Sequence, residues 1–178
     1  THPNLVRHEG EAYRERLVAR VHALGIEDHV VFLDRFVDQA TLLEFISMCD
    51  VYVTPYLNEA QMTSGTLAYS FGLGKAVVST PYWHARELLA DERGVLVPFG
   101  DSRPIGDAIT NLLSDDAKRQ SMRRRAHVSS RSMTWERTAE RYLATFEKAR
   151  REQRLRVVAS QPANVARSHA ATPPQLQT

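Results

Sequence analysis

Short apolar runs alternate with amphipathic segments along most of this chain. Val51–Thr54, Ala76–Ser79 and residues 95–97 are apolar and rich in β-branched side chains, which favours strands buried on both faces. Residues 29–33 (HVVFL) have the same character between charged neighbours, so we expect a strand there as well. The pattern predicts an α/β fold, in which helices connect the strands of a parallel, Rossmann-like sheet.

The helices are predicted from apolar positions that recur at helical spacing. Gly25 and Gly74 follow two of these segments, as expected of residues that end helices, and Asp38 precedes another as a candidate cap. Ligands of such sheets bind at the carboxyl ends of the strands, so the loops 55–63 and 80–84 are predicted to face one crevice. The predicted helices are residues 11–24, 41–48, 64–73, 85–90, 105–113, 116–128 and 134–153.

The composition, with 43% hydrophobic and 25% charged residues, is that of an ordinary globular domain. A net charge of +2 gives no argument for nucleic acid as a partner. The run Arg123-Arg124-Arg125 is expected to be a solvated basic face, with an anionic membrane surface as the alternative partner. The single cysteine, Cys49, lies in an apolar run and excludes an intramolecular disulfide, so we expect a cytoplasmic setting.

The composition of the chain changes near residue 155. Residues 1–154 are expected to form one domain that lacks its first strand and turn, because the sequence opens on a helical pattern. From that opening, which has no initiator methionine, we expect either a piece of a larger protein or a degraded or partial reading frame. Residues 155–178 have no periodic apolar face and are rich in proline, alanine, serine and glutamine, which predicts a disordered tail.

The most informative motif is Thr63-Ser64-Gly65-Thr66, at the predicted start of a helix after a buried strand. A helix N-terminus presents unpaired backbone N–H groups and the positive end of the helix dipole, and it therefore attracts phosphate. Gly65 allows a ligand close to the backbone, and the flanking hydroxyl groups add donors. The motif predicts a phosphate-binding turn; a serine-capped helix without a ligand is the alternative.

Five phrases of the chain resemble, in the same order, the C-terminal domain of retaining, nucleotide-sugar-dependent glycosyltransferases of the GT-B fold, family 4. They are LGIEDHVVFLDRFVD, LLEFISMCDVYVTPYLNEAQ, GLGKAVVST, RGVLVPFGD and MTWERTAERYL. The resemblance extends over residues 6–150 and implies a nucleotide-sugar-binding domain, whose missing partner is an N-terminal acceptor domain. It implies a nucleotide diphosphate sugar as substrate and no cofactor. No metal is expected either, since the family does not require one for the transfer and no His or Cys spacing indicates a metal site.

The chain departs from the family at two positions near the phosphate turn. Family members often carry one glutamate that binds the sugar hydroxyls and a second that binds the nucleotide ribose. Their places fall on Gln61 and Tyr69, and Glu59 lies just upstream. Gln61 can bond a sugar hydroxyl, and Tyr69 can stack on a ribose or bond it. Solvation of the loop and packing of Tyr69 against its helix are the alternatives.

A second group of pocket candidates follows the next strand. Tyr82 and Trp83 are predicted to line the nucleotide pocket, with core packing of Trp83 as the alternative. His84 is expected to be structural or solvated rather than a base. Glu87 is expected to bond backbone N–H groups beneath the site.

The resemblance and the motif together give a function hypothesis. The parent enzyme would be a retaining hexosyltransferase-like enzyme, acting on an unknown acceptor, and this chain would supply the donor side. In isolation the chain would be inactive, because half of a cleft cannot position two substrates. The alternative is a non-catalytic module that binds nucleotide or protein through the same crevice. A GT-B epimerase or phosphorylase is a third interpretation.

Overall fold

The computed structural model describes residues 6–8 and 10–160, with side chains to residue 156. These residues form two compact units, which divide after Ser130. The first unit contains α1 (Ala12–Leu24), a 3-10 turn (Glu27–His29), α2 (Gln39–Met48), β1 (Val51–Thr54), α3 (Gly65–Gly72), β2 (Ala76–Ser79), α4 (Trp83–Leu88), β3 (Val95–Leu96), α5 (Ser102–Ser114) and α6 (Asp116–Ser130); the second contains α7 (Trp135–Ser160).

The described strands form one parallel sheet in the order β1-β2-β3. β2 lies in the middle, and all four of its residues are buried. Because side chains alternate along a strand, Val77 joins the apolar cluster of α3 and α4, whereas Ala76 and Val78 join that of α5. α6 contributes to both clusters, through Ala126 and Met122 respectively. The predicted Rossmann-like α/β fold is confirmed.

The strand predicted at residues 29–33 is wrong. Its first residue closes the 3-10 turn, and the rest of the segment pairs with no strand in the described part of the chain. Val31 is 84% exposed and Leu33 52% exposed. An apolar, β-branched run becomes a buried strand only when a ladder neighbour and a covering layer are available, and the described sheet ends at β1.

The predicted helix ends are largely confirmed. The carboxylate of Asp38 accepts a hydrogen bond from the backbone N–H of Thr41 at 2.8 Å, which caps α2. Gly25 and Gly74 follow α1 and α3 with φ angles of 62° and 64°, a conformation that favours glycine. α7 continues to Ser160, past the residue where the tail was predicted to begin, and residues 161–178 lie outside the described residues.

Lys75 joins the sheet to α2. Its buried ammonium group donates to the backbone carbonyls of Ser47, at 2.5 Å, and Cys49, at 3.0 Å, at the C-terminal end of that helix. Burial lowers the pKa of Lys75, and the nearby charge of Arg123 lowers it further. Lys75 therefore supplies donors for carbonyl groups that the helix leaves unpaired.

The prediction of a solvated basic face on α6 is wrong for two of its three arginines. Arg123 donates to the carbonyl of Gly74 at 3.1 Å, and Arg125 donates to the carbonyl of Glu92 at 3.1 Å. These guanidinium groups hold α6 against the turns that follow α3 and α4. Among the described helices, none is long and apolar enough to cross a membrane.

Replacement of Gly74 by alanine is expected to destabilise the protein, in contrast to the same change at Gly72. A Cβ at Gly74 would meet the Cβ of His127 at 3.0 Å and the Arg123 carbonyl at 3.2 Å, in a left-handed conformation. We expect Gly74→Ala to cost about 1–2 kcal/mol or more. A Cβ at Gly72 would meet nothing within 4 Å, so Gly72→Ala is expected to be neutral or stabilising. Urea unfolding of both variants measures the difference, and equal midpoints would contradict the packing at Gly74.

Candidate functional site

The start of α3 has the geometry of a capped helix N-terminus. Ser64 is buried and extended, and its hydroxyl oxygen accepts a hydrogen bond from the N–H of Leu67 at 3.3 Å. The hydroxyl oxygens of Ser64 and Thr66 lie 3.4 Å apart. In the described part of the chain, no hydrogen-bond partner is found for the backbone N–H groups of Gly65 and Thr66. The serine cap named as the alternative is present, and two donors of the first turn remain available, so the phosphate-binding role stays a prediction.

Open space lies beside Gly65. A Cβ built on this glycine would meet no described atom within 4 Å, and its backbone has a negative φ that any residue can adopt. The absence of a side chain here is therefore not required by packing or by backbone strain among the described residues. It leaves the first turn of α3 accessible to a ligand.

The loop before α3 is attached to the start of α4 through the backbone. The N–H of Trp83 donates to the carbonyl of Glu59 at 3.0 Å, and that of His84 donates to the carbonyl of Gln61 at 3.3 Å. These bonds occupy donors that α4 would otherwise present to an anion. The loops 55–63 and 80–84, which were predicted to face one crevice, are bonded to each other, and the accessible helix start in this pair of loops is that of α3.

Two side chains of α4 add to this attachment. Nδ1 of His84 accepts a hydrogen bond from the backbone N–H of Ser64 at 2.9 Å. The guanidinium group of Arg86 donates to a carboxylate oxygen of Glu59 at 2.5 Å. We call the four contacts between residues 59–64 and α4 the loop clamp. It fixes the approach of the chain to α3.

The histidine in the loop clamp is neutral in this arrangement. An Nδ1 that accepts a hydrogen bond carries no proton, so the proton of the neutral ring is on Nε2. Burial lowers the pKa of His84, while the carboxylate of Glu87 raises it, and burial has the larger effect. The structural role expected of His84 is therefore a hydrogen bond to Ser64, the N-cap residue of α3.

The side chains predicted to contact the sugar and the ribose all have partners within the protein. The amide nitrogen of Gln61 donates to the carbonyl of Thr63 at 2.5 Å. The hydroxyl of Tyr69 accepts from the side-chain amide of Gln39 at 3.0 Å. Glu59 is paired with Arg86. The amide oxygen of Gln61 and the hydroxyl hydrogen of Tyr69 are not used in these bonds.

The position of Tyr82 differs from the prediction, whereas the pocket role of Trp83 stays a prediction. Tyr82 is fully buried, its ring lies 5.2 Å from that of Tyr56, and it belongs to the core. Trp83 is 52% exposed, so its predicted alternative, core packing, is wrong. Tyr82, Ala85 and Leu89 follow helical spacing on the buried face, which leaves Trp83 on the other face.

Glu87 does not bond backbone N–H groups beneath the site. It is exposed, and its carboxylate has no hydrogen-bond partner in the described part of the chain. Its backbone carbonyl instead accepts from the guanidinium group of Arg93 at 3.1 Å. The prediction fails because Glu87 lies on the outer face of α4, whereas Leu88 and Leu89 are buried.

Sequence reasoning missed two residues next to the candidate site. Arg86, the partner of Glu59, is a single cation on a short helix, and no sequence signal links it to a loop residue 27 positions upstream. Tyr52 lies on β1 close to α3. Burial raises the pKa of Tyr52, and hydrogen bonding with Thr66 and Ser70 opposes that rise.

The described residues contain no group of three or more His, Cys, Asp or Glu side chains that could hold a metal ion.

Comparison with known proteins identifies a family and two curated relatives. Residues 7–115 match the family described as "Glycosyl transferases group 1". The chain is 30% identical over 129 residues to phosphatidyl-myo-inositol mannosyltransferase of Mycobacterium leprae, covering 72% of this chain and 34% of the relative. It is 28% identical over 143 residues to D-inositol 3-phosphate glycosyltransferase of Jonesia denitrificans, covering 75% and 31%. The chain thus spans about a third of the length of these relatives.

Three solved structures share the fold. The C-terminal domain of the group 1 glycosyl transferase LpcC from Francisella tularensis matches with a TM-score of 0.57 and 20% identity, over 65% of this chain and 59% of that one. Sucrose-phosphate synthase from Thermosynechococcus elongatus gives 0.68 and 19%, over 80% and 36%. Anabaena Alr3699/HepE in complex with UDP gives 0.66 and 21%, over 79% and 38%.

Removal of the Ser64 hydroxyl is expected to lower the free energy of unfolding by about 1 kcal/mol, the usual effect of losing an N-cap. Asp38→Ala, at the cap of α2, is the matched control and is expected to destabilise as well. The contributions of the Ser64 and Asp38 caps to the free energy of unfolding differ in their dependence on pH. The N–H of Thr41 lowers the pKa of Asp38, so its contribution is present above the ordinary aspartate value, about 3.9, and is lost as the pH falls below it. Serine does not titrate.

Urea unfolding at neutral pH and near pH 3 measures both effects. A Ser64→Ala protein as stable as the parent at neutral pH would contradict the cap. A cost of Asp38→Ala that stays constant down to pH 3 would contradict the role of its carboxylate.

Proposed function

The chain belongs to the group 1 glycosyl transferases, and on that premise we propose that it supplies the donor side of a sugar transfer from a nucleotide diphosphate sugar, with retention of configuration. The observation that carries the proposal is the start of α3, where two N–H groups without a described partner adjoin open space at Gly65. The UDP complex of Anabaena Alr3699/HepE, a protein of the same fold, supports a nucleoside diphosphate as the ligand.

The diphosphate of the donor would lie against the N–H groups of Gly65 and Thr66. Sugar transfer leaves negative charge on the departing nucleoside diphosphate. Donors that are already oriented stabilise this charge without reorganisation, and the helix dipole has the favourable sign. The N–H of Ser64 takes no part in this contact, because it is bonded to His84.

The sugar and the ribose would bind to the hydrogen-bonding groups of Gln61 and Tyr69 that have no partner in the bonds described above. The amide nitrogen of Gln61 is bonded to the Thr63 carbonyl, so its oxygen is left to accept from a sugar hydroxyl. The hydroxyl of Tyr69 accepts from Gln39 and can still donate its own hydrogen to a ribose oxygen. Glu59 is a weaker candidate for the sugar, because Arg86 already neutralises its carboxylate.

The acceptor would be bound by a separate N-terminal domain, and the chain in isolation would not turn over. The chain spans about a third of the length of its curated relatives, and a transfer reaction requires both substrates in one cleft. We propose a cytoplasmic enzyme without a cofactor, which acts on a hexose donor. A non-catalytic module would bind the same nucleotide, but a longer polypeptide containing this chain would then transfer no sugar.

Gly65→Val tests the diphosphate site. The valine side chain would enter the open space at the start of α3, so we expect at least a tenfold loss of affinity for UDP, about 1.4 kcal/mol. Gly106→Val is the matched control, since a Cβ at Gly106 in α5 also meets nothing within 4 Å. Calorimetry with the 178-residue chain measures binding, and unfolding curves show whether both variants remain folded. Unchanged UDP affinity in folded Gly65→Val would contradict the proposed site.

The nucleotide itself is identified by saturation-transfer NMR. The chain is mixed in turn with UDP, GDP, ADP and the corresponding nucleotide sugars. We expect signals from at least one nucleoside diphosphate and stronger signals from its sugar conjugate. Binding to none of them would contradict the transferase proposal.

A further inference from the structure

His84 is the only side chain in the described structure that bonds the backbone N–H of Ser64. The other bonds of the loop clamp act on Glu59 and Gln61, farther from the helix. Ser64 is the N-cap of α3, and its backbone conformation determines the direction of the next two N–H groups. The contact of His84 therefore acts on the part of the loop that immediately precedes the proposed anion donors.

The direction of this hydrogen bond depends on the protonation state of the ring. Ser64 donates its N–H, so Nδ1 must offer a lone pair, which only the neutral imidazole has. In the protonated ring both nitrogens carry hydrogen, and two donors would face each other across 2.9 Å. The bond is then lost, and either the ring or the cap of α3 must move.

We propose that neutral His84 is a positioning residue for nucleotide diphosphate binding, and that its protonation weakens binding by releasing the start of α3. The inference rests on the proposed function of the same site. It assigns to His84 no contact with the substrate and no proton transfer. The ring acts through Ser64 on the orientation of Gly65 and Thr66.

The charges around the ring define the pH range of this effect. Glu87 lies on the same helix, and Glu59 and Arg86 form an ion pair between loop and helix. Ser64, Gly65 and Thr66, at the start of α3, carry no charge. Burial lowers the pKa of His84 below its ordinary value of about 6.5. The neutral form is therefore complete above that value, and its contribution is lost as the pH falls through the lowered pKa.

An opposing effect makes the sign of the pH dependence informative. A positive imidazolium close to a bound diphosphate would attract it, and binding would then strengthen as the pH falls. Positioning predicts the reverse, because the protonated ring cannot keep the cap of α3 in place. The two mechanisms therefore differ in the direction of one measured quantity.

The test compares His84→Asn and His84→Ala with the parent chain. The side-chain oxygen of asparagine can take the place of Nδ1 as an acceptor, and it does not titrate. Affinity for a UDP-sugar is measured by calorimetry from pH 7.5 down through the titration of the His84 ring, which NMR of the ring nitrogens locates. A nucleotide sugar is used because its diphosphate has no terminal group that titrates in this range, in contrast to UDP. His22→Asn, a change at an exposed histidine, is the control.

We expect the parent and His84→Asn to bind equally at pH 7.5. Below the titration of the His84 ring the parent should weaken by about three- to tenfold, the usual net effect of one hydrogen bond, while His84→Asn stays constant. His84→Ala should bind weakly at every pH, and His22→Asn should follow the parent. In NMR spectra, the Ser64 amide signal should shift together with the titration of the His84 ring nitrogens.

The outcomes separate this inference from the proposed function. If the parent binds no nucleotide sugar at pH 7.5, the proposed function fails. If it binds there but does not weaken relative to His84→Asn once the His84 ring is protonated, or if its affinity rises, the positioning role is contradicted. A Ser64 amide signal that is independent of the His84 titration would also contradict it.

Discussion

The parallel pairing of β1 with β2 is the constraint on which the candidate site depends. The register runs from Val51 opposite Ala76 to Thr54 opposite Ser79, so both strands end at the same edge of the sheet. Beyond the backbone pairing of β1 with β2, side-chain hydrogen bonds continue to join the two segments. Ser79 donates to the carbonyl of Thr54 at 3.1 Å, and Thr80 donates to that of Tyr56 at 2.5 Å. The two loops that follow are thereby brought together before either helix begins.

Once the loops lie side by side, the helices that follow them receive different roles. The start of α4 gives its first N–H groups to the carbonyls of Glu59 and Gln61 and so becomes a structural anchor. The start of α3 is capped by Ser64 and keeps the N–H groups of Gly65 and Thr66 available. One helix end thus holds the loop, and the other is left to meet an anion. The buried ring of Tyr82 keeps α4 on the sheet, so the clamp rests on the core.

Features encoded by neighbouring residues could be predicted from the sequence. The strands Val51–Thr54 and Ala76–Ser79, the caps at Ser64 and Asp38, and the turn at Gly74 all follow from local composition and spacing. The wrongly predicted strand at residues 29–33 shows where local patterns stop being sufficient. Strand formation there requires a neighbouring strand, which the described residues do not contain. The loop clamp could not be predicted from the sequence either, because the bond between Ser64 and His84 joins residues twenty apart through a backbone donor. The roles of Gln61 and Tyr69 stay predictions.

We propose that a nucleoside diphosphate binds at the N–H groups of Gly65 and Thr66, and an amide-resolved NMR titration of the chain with UDP is the direct test. These two amides should shift most, whereas the amides at the start of α5, a helix capped by Asp101, should stay unchanged. Saturable shifts confined to residues outside the start of α3, or equal shifts at both helix starts, would contradict it.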